Sequence, residues 1–364
     1  MSPRRSLLAA ALALACASSH AAEEKILYLF NWADYFAPDT LSQFEKETGI
    51  KVRLDVYDSD ETLQAKLLTG DSGYDVVWPS NDFMAKQIQA GVYRPLDKSK
   101  LPNLKYLDPR LMNIIAQSDP GHRYGVPYMW GTIGVGYDKV KVEKLLGKVP
   151  ANSMDLLFDP ATSGKLAAGG CRIGVQDSAS AMLPLALRYI GRDPVNPAKA
   201  DFDAALAMLK KVRKNISLFV GSPNASELIS GELCVFTGYS GAINLAAEKV
   251  REQGSKRSIV YDIPSMGSLM WFDGMLIPKT ARHPDNAHAF INYILRPDVV
   301  AKISNATRYA NANLGALKLM DRTLVGNPAI YLNDERKKTL FLQKVQSSDT
   351  TRLEGRTWMS FKKG

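Results

Sequence analysis

Cysteine and histidine are scarce in this chain, with three and four copies among 364 residues. The cysteines lack metal-ligand spacing, and His283 and His288 stand five apart rather than on one helical face, so no metal site is expected. No Gly-x-Gly-x-x-Gly or Walker-type loop follows an apolar strand, which removes support for nucleotide cofactors. No run approaches the roughly 20 apolar residues that a permanent membrane helix needs. Lys plus Arg exceed Asp plus Glu, 46 against 37. The basic residues are nevertheless scattered, with neither a run nor an interleaved aromatic stripe, and read as an ordinary solvated surface rather than one for nucleic acid. Internal repeats and low-complexity tracts are absent as well.

What is present begins with "MSPRRSLLAAALALACASSHA": two arginines, an apolar run from Leu7 to Ala17, and a small-x-small ending at Ser19 and Ala21. That is the pattern of a secretory signal peptide over residues 1–21, which predicts an exported chain starting at Ala22. Cys16 as a lipoprotein acceptor is the rival reading, but Ala13, Leu14 and Ala15 do not form a leucine-led lipobox. Cleavage leaves Cys171 and Cys234 as a pair in an oxidising compartment, where a disulfide is the default and two buried free thiols the alternative. The remaining chain, about 340 residues, exceeds what one hydrophobic core usually fills, so two lobes are expected.

From residue 25 the pattern alternates. The apolar "KILYLF" is followed by "PDTLSQFEKETG", with Pro38 near a helix start and Gly49 at its stop. In "IKVRLDVYD" Ile50, Val52, Leu54 and Val56 alternate as on a half-buried strand. "SDETLQAKLLTG" reads as a helix, "YDVVWPS" as a short buried strand and "NDFMAKQIQAG" as another helix. This rhythm means an open, largely parallel α/β sheet. It returns in "GVQDSASAMLPLALRYIG" and "LCVFTGYSGAINLAAEKV", a second α/β unit. Crossings between units are expected at "GTIGVGYDK" and near "SKRSIVYDIP". They assign residues 22–133 and 253–310 to one lobe, and 134–252 and 311–364 to the other.

In open α/β sheets ligands bind beyond the carboxyl ends of the strands. Trp32, Asp34 and Tyr35 stand there, as do Ser80 after "YDVVWP", Trp130 after "VPYM" and Tyr239 after "LCVFTG", with Trp271 and Asp273 in "SLMWFDGMLIP". Rings attract ammonium groups at roughly 0.5 to 2 kcal/mol per contact and cover methylenes. A buried ammonium also needs a counter-charge. Trp32, Tyr35, Tyr239, Trp271 and Tyr309 supply rings; Asp34 and Asp273 supply charge. The plainer alternative is that the rings pack between lobes and the two aspartates cap turns.

An enzyme is the different-class reading, because "GYSGA", residues 238–242, approaches the Gly-x-Ser-x-Gly nucleophile elbow. Ala242 stands where the second glycine belongs, and a Ser240 hydrolase also needs a positioned histidine. His122, His283 and His288 all lie in polar, loop-like or helical-surface contexts. Binding, not catalysis, is the expectation.

Taken in order, "NWADY", "APDTLSQFEKETGIKV", "SGYDVVWPSNDF", "LDKSKLPN", "PYMWGTIGVGYD", "GYSGA" and "YANAN" closely resemble the putrescine and spermidine periplasmic binding proteins of bacterial ABC importers. The resemblance covers nearly the whole exported chain. It implies the type II periplasmic binding protein fold: two α/β lobes, a hinge and an interlobe cleft that closes on the ligand. It implies a small cationic amine as ligand, an inner-membrane permease as partner, a monomer, and no cofactor. Carried over by position, it puts Trp32, Asp34 and Tyr35 at the first ligand loop and Ser80 at the second. Tyr239 and Trp271 become aromatic walls, Asp273 the key ammonium-binding carboxylate, and Tyr309 the tyrosine before "ANAN". The two cysteines match positions the family bridges.

Two departures follow from the same comparison. Ala181 and Ala242 stand where putrescine-binding members carry acids. An ammonium beside alanine forgoes a charge-assisted contact of roughly 1.5 to 3 kcal/mol. Asp177 or Asn244 could stand in. A monoamine, an acylated polyamine or a zwitterion such as 4-aminobutyrate is therefore a second ligand expectation, and delivery to a sensory receptor a second role.

Overall fold

The computed structural model describes residues 23–364 apart from 222–224. The signal segment and Cys16 lie outside the described residues.

Among the described residues, eleven strands form two sheets joined through one long strand. β1 (Ile26–Trp32) pairs in parallel with β2 (Lys51–Tyr57) on one side and β3 (Val76–Val77) on the other. Between them, the helix Thr40–Thr48 stops at Gly49, whose φ of 72° is the left-handed conformation that ends helices. The helix Asp60–Leu68 starts where the Ser59 side chain accepts the Thr62 amide. β4 (Gly125–Asp138) is buried along its whole length. The second sheet holds β5 (Ile173–Gln176), β6 (Ile216–Val220) and β7 (Val235–Tyr239), with β5 parallel to both neighbours.

β8 (Ile259–Asp262) and β9 (Leu269–Leu276) bring the chain back. β4 pairs with β9 through Thr132 and with β7 and β8 from Ile133 onward. One strand thus leaves the first sheet and enters the second without a break. The crossing pairs are antiparallel because one strand goes over and another returns, which tempers the expected parallel character. β8 hydrogen-bonds to the second sheet, whereas the sequence reading grouped residues 253–310 with the first lobe. β10 (Ala310–Asn311) pairs with β4 in the first sheet, and β11 (Phe341–Leu342) pairs with β9. The chain ends in the helix Ser348–Lys363, packed on the helices Ala179–Tyr189 and Lys199–Val212.

Two hydrophobic cores result. Leu27, Leu29, Phe44, Trp78 and Phe290 lie in one; Leu157, Phe158, Leu183, Phe202 and Phe361 lie in the other. β2 departs from expectation: Leu54 and Val56 are 38% and 54% exposed, because β2 is the edge strand, where Tyr57 is buried in the core and Val52 packs partly against it. Cys171 and Cys234 form a disulfide with Cα atoms 5.5 Å apart, just before the parallel strands β5 and β7.

Candidate functional site

The cleft is built at the end of β1 and on one face of β9. Trp271 and Asp273 are two residues apart on β9, so their side chains project from the same face. Ser80, just after β3, bridges Asp273 backbone to backbone. The Tyr35 hydroxyl donates to Asp273 Oδ2 at 2.7 Å, and both residues are buried. Tyr128 fixes Tyr35 from behind by donating to its carbonyl.

From Tyr35 a chain of rings crosses the cleft edge to face. Tyr35 and Tyr309 have centroids 5.8 Å apart, Tyr309 and Trp271 5.1 Å, and Trp271 and Tyr239 5.6 Å. Two glycines permit this packing. A Cβ on Gly241 would come within 2.4 Å of the Tyr309 ring, and one on Gly131 within 2.8 Å of Trp271. "YANAN" holds Tyr309 in place, since Asn311 bonds Ser304 Oγ at 2.8 Å and Asn313 bonds the Leu295 carbonyl at 2.7 Å. The Tyr309 hydroxyl receives the Ala242 amide at the start of the helix Ser240–Glu252.

Burial dominates the electrostatics. It pushes Asp273 up to about 7, with Asp82's charge adding to the rise and the Tyr35 and Ser80 hydrogen bonds opposing it. Asp60, which accepts the Ser80 amide at 3.0 Å, is also raised, first by burial and then by Asp82. Burial raises the Tyr35 and Tyr309 phenols as well. Among the described residues no lysine or arginine pairs with Asp273, and its Oδ1 has no hydrogen-bond partner. The result is a buried carboxylate faced by neutral rings, able to receive a cation.

The other expected residues divide. Trp32 is half-buried, its indole donating to the Trp78 carbonyl at 3.0 Å and its ring 4.6 Å from Tyr57. Asp34 is exposed in the turn after β1, with φ 55°, so it is not buried alongside Asp273. Trp130 is buried and donates to the Asn311 carbonyl at 3.2 Å, a buttress behind Tyr309. Asp177 bonds Trp358 Nε1 at 2.8 Å and also Lys362. Asn244 bonds the Ser240 carbonyl at 2.7 Å and Asn327 at 3.1 Å. Both proposed stand-ins for the missing acids are thus committed elsewhere. Ala181 and Ala242 are buried.

The Ser240 hydroxyl accepts the Thr132 amide at 3.5 Å. His283 pairs with Asp75 at 3.0 Å, and His288 accepts the Asp97 amide at 2.9 Å; no histidine hydrogen-bonds Ser240 among the described residues.

Sequence reasoning missed Tyr128 and Gln176. Gln176 is the last residue of β5, so the strand-end rule that selected Tyr239 would have selected it too. Its side chain hydrogen-bonds the Tyr239 hydroxyl, offsetting part of the burial that pushes that phenol up to about 12.

Two α/β lobes joined by shared strands, with an acid and a row of rings at the joint, define a solute-binding protein. The sequence pattern of the bacterial extracellular solute-binding proteins matches residues 39–328, and the chain belongs to that family. It is 43% identical over 362 residues to the putrescine-binding periplasmic protein SpuD of Pseudomonas aeruginosa, covering 99% of this chain and 98% of the relative. It is 41% identical to the putrescine-binding periplasmic protein PotF of Escherichia coli, covering 98% and 97%. Among solved structures, the spermidine/putrescine ABC transporter substrate-binding protein PotD of Streptococcus pneumoniae superposes with a TM-score of 0.78 at 27% identity, covering 93% and 99%. The type II two-lobed fold expected from the motifs is therefore the fold of this chain, and its place is the periplasm.

Proposed function

We propose that this chain captures a small cationic amine of the polyamine class and delivers it to an inner-membrane ABC permease, acting by binding rather than by catalysis. One observation carries this reading: Asp273 is buried, held by Tyr35, and paired with no lysine or arginine among the described residues. A buried carboxylate without a counter-ion is costly, and an ammonium from outside relieves that cost. The rings of Tyr35, Tyr309, Trp271 and Tyr239 would cover the ligand's methylenes and face its charge. Trp32, Asp34 and Ser80 would form the mouth on the first lobe, with Asp34 meeting the cation in water before it enters. The names of the relatives, putrescine-binding and spermidine/putrescine-binding, support the same ligand class.

The lobes would hinge between Thr132 and Ile133 in β4 and between β8 and β9. The first lobe would then hold β1 to β3 and residues 269–332, and the second residues 133–262 with the C-terminal helix. Isothermal titration of the exported chain with putrescine, spermidine, cadaverine and agmatine tests the reading. Binding that is lost in Asp273→Ala is expected; failure of every amine to bind at about millimolar concentration would end the assignment.

A further inference from the structure

We infer that the cleft is built for a diamine acylated at one end, a ligand with one ammonium and one secondary carboxamide. This inference rests on the amine-binding reading and narrows it. Buried polar atoms are almost always hydrogen-bonded, yet three at the cleft have no partner among the described residues: Asp273 Oδ1, Gln176 Oε1 and Trp271 Nε1. Asp273 is 4% exposed and Gln176 7%. The three belong to one contiguous set. Gln176 bonds Tyr239, Tyr239 packs on Trp271, and Trp271 shares a face of β9 with Asp273.

Their chemistry differs in kind. Asp273 Oδ1 is an anionic acceptor and calls for an ammonium. Gln176 Oε1, buried and unpartnered at the end of β5, is a neutral acceptor that calls for an N–H. Trp271 Nε1 is a neutral donor and calls for a carbonyl. Gln176 and Trp271 both neighbour Tyr239, and a single amide group offers an N–H and a C=O that point in opposite directions.

The competing ligands each leave a mismatch. A second ammonium would meet the Trp271 N–H, donor against donor, and positions 181 and 242, alanines here, offer it no counter-charge. A carboxylate would meet Gln176 Oε1, acceptor against acceptor. A secondary amide satisfies both and adds no charge.

The test is titration of the exported chain with N-acetylputrescine, putrescine, 4-aminobutyrate and butylamine. N-acetylputrescine should bind at least about tenfold more tightly than the other three, the factor expected when a buried hydrogen bond is made rather than left unmade. Gln176→Leu and, separately, Trp271→Phe should each weaken N-acetylputrescine by about tenfold more than they weaken butylamine. Two variants on different strands guard against one failing to fold. Putrescine binding as tightly as N-acetylputrescine, or either variant weakening butylamine equally, overturns the inference and leaves the amine reading standing. If no amine binds, both fall.

Discussion

Replacing Asp273 by asparagine should make the ligand-free protein more stable while it loses its ligand. Asp273 is raised from 3.8 to about 7 in the folded protein, chiefly by burial. The sign follows from linkage. Well below the unfolded value of 3.8 the group is protonated in both states and costs nothing. As pH rises from there, the unfolded chain ionises freely while the folded one does not until about 7, so stability drains away across that window and then levels off. The displacement corresponds to about 4 kcal/mol above neutral pH. Asparagine never ionises and keeps an oxygen for the Tyr35 hydroxyl, but places an NH2 where Oδ1 has no partner, which takes back about 1 to 3 kcal/mol. The net gain should be about 1 to 3 kcal/mol at pH 8, a rise in melting temperature of about 1 to 4 °C, and should reverse to a loss of about 1 to 3 kcal/mol near pH 4, where only the unpartnered NH2 distinguishes the two proteins. Calorimetry of the ligand-free wild type and variant at pH 4, 6 and 8 reads this directly. Amine affinity should fall by about 10- to 100-fold in the variant. A variant no more stable than wild type at pH 8, or a gain equal at every pH, would refute the reasoning that the carboxylate is held at a cost for its ligand.

Three further outcomes are expected. Amine affinity should decline as pH falls below about 7, by up to tenfold per pH unit, because a proton competes with the cation at Asp273. Titration in buffers of different ionisation heat should show a proton released on binding near pH 6, and a flat profile from pH 6 to 8 would contradict this. Gly241→Ala places a methyl 2.4 Å from the Tyr309 ring, which should displace the ring, cost about 1 to 3 kcal/mol of stability and weaken amine binding. Chemical denaturation and titration check both parts. Removing the Cys171–Cys234 bridge, which spans 63 residues, with paired serines should cost about 4 kcal/mol in denaturant melts, with amine binding retained at low temperature.

The fold was legible where local signals and tertiary structure agree. Gly49 ends the first helix and Ser59 caps the second because each acts on its own backbone. The β2 reading failed at Leu54 and Val56, since alternation cannot tell an edge strand from one covered on its face. The strand-end rule found Tyr35 and Tyr239, and the strand-like run "SLMWFDGMLIP" supplied Trp271 and Asp273; the fold brings the four into one line. It could not separate Asp34 from Asp273, which differ only in what packs over them: a turn open to water in one case, Tyr35 and the first core in the other. Asp177 and Asn244 looked free in the sequence because their partners, Trp358 and Asn327, lie far along the chain.

At the seam in β4, Tyr261 reaches from β8 and grips Thr132 twice, donating to its carbonyl at 2.9 Å and accepting from its hydroxyl at 2.7 Å. A phenol anchored in one half thus pins the last residue of the other. At the hinge we propose, this rivet would favour jaws that turn like a pair of shears over halves that slide past one another.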